Sequence, residues 1–517
     1  PTLGTTDATN DTTPVLGGTA EAGSTVRVTV GGATFEVTAD ASGHWTLDTG
    51  SATPAEGSFT LDADGAKTVE LASVDAAGNR STGSGEFTLD TEAPAAPTLG
   101  TTNKTSDTTP VLGGTAEAGS TVRVTVGGAT YEVTADASGH WTLDTGGATP
   151  AQGSFALGDD GAKTVSLSST DAAGNRSTGS GEFMLDTTAP VLLSIWMGQY
   201  GQHNGYSVRD GIVEISLRFS EDLALDTSAG EPTLSVTFQT GTGDSVTRTF
   251  GFWNAGSSQV NFRYTVQAGD EDLDGITLPS ALSLNGATLR DGAGNDADLN
   301  LAGVEVNIGA LLVDAKAPDA PTLTSTGLTN AATPVLSGTA EAGSTVRVTV
   351  GGASFEVTAD AGGHWTLDTG SADPVEGDFA LGGDGTKTVE LTSTDAAGNA
   401  STGSGEFMLD TTAPAAPTLG TTNTTNDATP VLGGTAEAGS TVRVTVGGAT
   451  FEVTADAGGN WTLDTGSADP VEGTFALGDD GAKTVELVSI DAAGNRSAGS
   501  GEFTLDTIAP AAPALTS

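Results

Sequence analysis

Acidic side chains return along this chain at fixed spacing, and their chemistry is that of a cation site. Asp90, Asp186, Asp314, Asp410 and Asp506 each stand four residues before a proline, at the end of an alternating apolar run. Asp75, Asp171, Asp291, Asp395 and Asp491 each open a loop that closes on Gly-Asn. Glu21, Glu117, Glu341 and Glu437 each open a Glu-Ala-Gly turn. Asp62 and Asp64, Asp160, Asp384 and Asp480 stand in a tight loop that ends on glycine. Carboxylates gathered within a few ångströms repel unless a cation sits among them. Calcium takes about six to eight oxygen ligands from carboxylates and carbonyls and meets that need. No lysine or arginine recurs in these loops, since position 80 is arginine in three copies and Ala400 in the fourth.

Turn chemistry competes with this reading, because Asp bonds its own backbone and Gly supplies positive φ. It suffices for Asp40 and its copies and for Asp64-Gly65. It explains little at Asp90, before a proline, or at Asp75, and calcium ligation is the expectation there. His44, His140 and His364 resemble metal ligands, but the fourth copy carries Asn460, so a turn residue is expected. Trp45, Trp141, Trp365 and Trp461 follow on an alternating strand and are expected in a core. No nucleophile–base constellation recurs, so an enzyme is not expected.

These carboxylates are carried by a repeat. The segment from Thr13 recurs from Thr109, Thr333 and Thr429, with steps of 96, 224 and 96 residues. A period this long suits a small domain rather than a solenoid unit. The expected domains are 1–92, 93–188, a divergent unit 189–316, 317–412 and 413–517. Within the first, Val26, Val28 and Val30 alternate with polar residues, as do Phe35 and Val37, and no window has a helical period. Seven short strands predict an all-β fold, an immunoglobulin-like sandwich repeated in tandem. If the strands alternate up and down from Pro14, the turns at Glu21, Asp40 and Asp62–Gly65 lie at the trailing end, where the chain leaves the domain. The Gly31-Gly32 turn and the Asp75–Asn79 loop then lie at the leading end. Acidic groups would thus meet at each junction from both sides, across linkers stiffened by Pro94 and Pro97.

A net charge of −48 argues against nucleic acid and an anionic membrane surface as partners. No run is long and apolar enough for a membrane span, and the absence of cysteine leaves the compartment open. The first residues do not read as a signal peptide, which means little in a chain that begins mid-motif. Pro1-Thr2-Leu3-Gly4 matches the linker Pro97-Thr98-Leu99-Gly100, so the chain is expected to be an excerpt of a longer protein.

The divergent unit keeps the same grammar. Asp291–Asn295 restates the leading loop and Val313–Pro318 the linker. Asp210 is expected at the trailing end, and Glu221 at the leading end near Asp291. Asp270, Asp272 and Asp274 before Gly275 copy half of an EF-hand loop, but position twelve would be Ala281. Calcium ligation and a solvated turn both remain open there. The unit holds Trp196, Trp253, Tyr200, Tyr206 and Tyr264. Trp196 and Tyr264 are expected in the core, Tyr200 and Tyr206 near the surface, and a glycan or receptor site in this unit is the alternative function.

The runs Gly18–Val26, Gly43-His44-Trp45, Asp75–Asn79 and Leu89–Pro94 together resemble the bacterial Ig-like repeats of giant biofilm-associated and RTX-type adhesins. The divergent unit resembles another module of such adhesins at Phe219-Ser220-Glu221 and Tyr264–Ile276. The resemblance implies an extender stalk on the bacterial cell surface, exported by type I secretion, with calcium clamping successive domains. Five sandwiches in line, each on the order of 40 Å, would form an extended monomeric rod of roughly 200 Å.

Overall fold

The computed structural model describes residues 1–240, 243–307 and 311–512, and among these there are strands and turns but no helix. In the first repeat the strands are β1 (Thr2–Leu3), β2 (Ala8–Thr9), β3 (Val15–Thr19), β4 (Thr25–Val30), β5 (Ala33–Thr38), β6 (His44–Asp48), β7 (Glu56–Gly57), β8 (Gly65–Val74) and β9 (Arg80–Leu89). One sheet has the order β1-β3-β6 and the other β2-β9-β8-β4-β5-β7. Alternation decides the faces, as Val26, Val28 and Val30 point inward with Phe35, Val69, Leu71 and Phe87. The four repeat tryptophans are at most 2% exposed, in line with the core expectation. Gly18 is fixed by that packing: a Cβ there would lie 1.9 Å from the Thr2 carbonyl oxygen and 2.9 Å from the Trp45 ring.

The expected loop placement needs correction. The segment before Pro14 is itself β structure: β1 runs antiparallel to β3, and β2 crosses to pair in parallel with the end of β9. Residues 59–61, just before the Asp62 loop, form no strand. Thr25 pairs with Val74 and Ala33 with Gly57. The Glu21 and Asp40 turns therefore lie at the leading end beside the Asp75–Asn79 loop, and Gly31-Gly32 lies at the trailing end. Asp62–Gly65 is at the trailing end as expected.

The divergent unit is built on a sheet ordered Thr233–Gln239, Ser245–Ala255, Gln259–Thr265, Tyr206–Phe219, Leu192–His203 and Glu305–Asn307. Ile195, Val213, Ile215, Phe238, Phe250 and Phe262 fill its core. Each repeat likewise has its own apolar cluster.

Candidate metal centres at the domain junctions

Four junctions share one clasp. The asparagine that closes the leading loop donates from Nδ2 to the carbonyl oxygen of the linker aspartate in the preceding domain. The pairs are Asn175 to Asp90 (2.8 Å), Asn295 to Asp186 (2.7 Å), Asn399 to Asp314 (3.2 Å) and Asn495 to Asp410 (2.7 Å). The same amide donates to the loop's own aspartate, Asp171, Asp291, Asp395 or Asp491. Asp75 holds Asn79 in the same way at the start of the chain. These asparagines were not singled out from the sequence, although their recurrence at the end of each loop is the signal.

Around the clasp the junctions differ. Asp186, Glu221 and Asp291 bring carboxylate oxygens within 4.8 Å of one another where the second repeat meets the divergent unit. Lys104 lies among them, bonded to Asp186 and 3.5 Å from Glu221. Burial opposes the ionised form of Asp291, but the Asn295 amide and the backbone N–H groups of Asn295, Ala293 and Gly294 outweigh it and hold its pKa below the usual carboxylate range.

The next junction has the opposite balance. Burial first, then the charge of Asp395, pushes the Asp314 carboxyl up to about 6, and Glu271 and Glu341 add to the repulsion. Glu341 is raised by the same two causes, burial and then Asp395. Lys316 lies 3.2 Å from Glu271. A hairpin tip of the divergent unit also crosses this junction, with Asn204 Nδ2 donating to the Ala396 carbonyl at 3.0 Å. At the first and last junctions Asp90 and Asp410 are half-buried, while Glu117 and Glu437 are exposed at the leading ends of their domains, as is Glu21 in the first.

Several acidic residues have other partners. Asp64 accepts from the Thr91 hydroxyl, Asp160 from Thr187 and Thr188, Asp384 from Thr411 and Thr412, and Asp480 from Thr507. Each of these aspartates thereby ties the linker to its own domain. The Thr412 hydroxyl, then the Thr411 amide, bring Asp384 down to about 2. The loop also has a cation after all: Lys67 donates to the Asp62 carbonyl at 2.7 Å and to that of Ala63, and Lys163, Lys387 and Lys483 donate to the carbonyl aligned with Ala63, on Asp159, Gly383 and Asp479. Asp506 caps the Ile508 amide beyond the last strand. Asp40 and its copies accept the backbone N–H groups of their own turns, and His44, His140 and His364 are exposed but each opens the strand that follows, rather than standing in the turn as expected.

In the divergent unit the half EF-hand resolves into structural contacts. Asp270 is buried and accepts from Arg248, the Tyr264 hydroxyl and the Gln267 amide. Asp272, also buried, accepts from the amides of Gln239 and Gly275, and burial raises its pKa. Asp274 is exposed, and so is Asp210, held at φ 64° beside Arg209. The solvated-turn reading of that loop does not fit Asp270 or Asp272, which are buried inside the fold. Trp196 is 44% exposed rather than in the core, while Tyr264 packs on Phe238 and Phe250.

The bacterial Ig-like domain family matches residues 3–91, 97–187, 312–411 and 417–507. The chain belongs to that family. The matched bacterial Ig-like domains are the four repeats, and residues 188–311 lie outside the match. No curated protein matches the chain. Among solved structures it is similar to a tetra-tandem repeat in the extending region of a large adhesion protein, at 20% identity over 98% of both chains with a TM-score of 0.19. It is also similar to a Ca2+-stabilized adhesin that helps an Antarctic bacterium reach out and bind ice, at 20% identity over 97% of both chains with a TM-score of 0.22. Overlays this loose say nothing about the chemistry of the present junctions.

Proposed function

We propose that this chain of bacterial Ig-like domains is an extender segment of a cell-surface adhesin, stiffened by calcium at its junctions and serving adhesion and biofilm formation. The observation that carries the calcium reading is the junction at Asp314. Burial and neighbouring carboxylates push this carboxyl up to about 6, so its ionised form is unfavourable there and a bound cation would favour it. Asp314, Asp395, Glu341 and Glu271 would hold the ion, which would supply the missing positive charge between two domains. The separate cores and proline linkers suit a stalk, in which each bead folds alone and the joints set the shape. Extracellular calcium modules commonly bind at ~10⁻⁴–10⁻³ M. Such sites would be empty in the cytosol and full outside, which suits export in an unfolded state by type I secretion. Small-angle scattering across a calcium titration tests this reading.

A second reading has an observation of its own. Trp196 and Trp253 are both about half exposed on the divergent unit. Trp253 lies over the Arg263 guanidinium at 3.8 Å, and Arg263 pairs with Glu214. Exposed indole rings, one of them beside paired polar groups, suit a sugar ring. Glycan-array binding should then occur and should fall at least tenfold in Trp196→Ala and Trp253→Ala. An array with no signal for the unsubstituted chain removes this reading.

A further inference from the structure

Lys104 has no counterpart in the other repeats, where the aligned residues are Ala8, Leu328 and Thr424. It lies on the two-residue strand Lys104–Thr105, which pairs in parallel with Met184–Leu185 at the trailing end of the second repeat. That register sets it beside Asp186, the linker aspartate. Its ammonium bonds Asp186 and reaches Glu221 of the next domain at 3.5 Å. The hydrogen bond to Asp186 is the main cause holding the lysine above its usual pKa; burial opposes it, and the charges of Asp186, Glu221 and Asp291 add to it. Next to it, Ser106 donates its backbone N–H to the Ala293 carbonyl across the same junction, at 3.0 Å.

We propose that Lys104 is the resident cation of the second junction, so that the second repeat and the divergent unit stay fixed to each other without metal. The chain itself sets the local concentration of this ammonium, so lowering free calcium cannot empty the site. Glu221 and Asp186 belong to different domains, and a point charge between them links the two directly. Asp291 has its own amide donors, so the lysine needs to offset chiefly the Asp186–Glu221 pair. At the third junction Lys316 is engaged by Glu271 and leaves Asp314 raised, so a nearby lysine does not by itself neutralise a junction. The contrast with the first junction, where Ala8 replaces Lys104, rests on the calcium reading above; the claim for the second junction does not.

The chain has no cysteine, so introduced pairs can carry two spin labels each on the full-length protein. Thr164→Cys with Gln259→Cys spans the second junction, and Thr68→Cys with Thr178→Cys spans the first. All four positions are exposed. In chelator the distance distribution across the second junction should stay as narrow as in calcium, while that across the first broadens at least twofold. Adding Lys104→Ala should broaden the second junction in chelator by a similar factor, and Lys104→Arg should keep it narrow. The proposal is overturned if the unsubstituted second junction broadens in chelator, or if Lys104→Ala leaves it narrow. A first junction that stays narrow in chelator counts against calcium there. The Lys104→Ala comparison still decides the second junction.

Discussion

Replacing Trp365 with alanine should destabilise the third repeat and leave the melting of the other four domains unchanged. The side chain is 1% exposed and packs in a cluster confined to that repeat. Loss of such a core ring costs about 3–5 kcal/mol, against a whole-domain stability of about 5–15 kcal/mol. Differential scanning calorimetry should show roughly a fifth of the unfolding enthalpy moving to lower temperature, as the additive nature of tandem domains requires. A single transition that shifts as a whole would mean that the domains do not fold independently.

Asp314→Asn should change sign with the medium. The Asp314 carboxyl is pushed up to about 6 in the folded protein, against about 3.9 in an unfolded chain. The folded state therefore holds its proton more tightly, and stability falls as pH rises between these two values. Above about pH 6 the full cost is present; below about pH 4 it is gone. In chelator at pH 7 the asparagine variant should melt higher than the unsubstituted chain, with the advantage fading towards pH 4. In millimolar calcium it should melt lower, because an amide is a weaker ligand than a carboxylate. A variant that melts lower in chelator at pH 7 would show that Asp314 carries no unfavourable charge there.

The sandwich was legible because Val26, Val28 and Val30 alternate so strictly that only one face can be buried. The placement of Glu21 was not, because β1 and β2 are two residues each and too short to show a period. Missing that crossing reversed the assumed direction of every strand from β3 to β6. The clash of carboxylates at Asp314 was foreseeable from the repeat. The lysine that relieves Asp186 was not, because it occurs once and a search for recurring cations passes over it. The tight loop at Asp62 was misread for a different reason: Lys67 lies on the following strand, five residues away, and only the hairpin geometry returns it to the loop carbonyls. Trp196 alternates correctly on its strand, but alternation alone does not say which face of a sheet meets solvent.

Small-angle scattering of the intact chain, in chelator and in millimolar calcium, tests the central claim most directly. With calcium, five sandwiches of about 40 Å each should give a rod-like profile with a maximum dimension of roughly 200 Å. In chelator the carboxylates at the junctions other than the one bridged by Lys104 should repel, with only salt to screen them. The profile should then become that of a flexible string whose width varies with ionic strength. Identical profiles in the two media, an equal response to magnesium, or a compact particle in calcium would contradict the account.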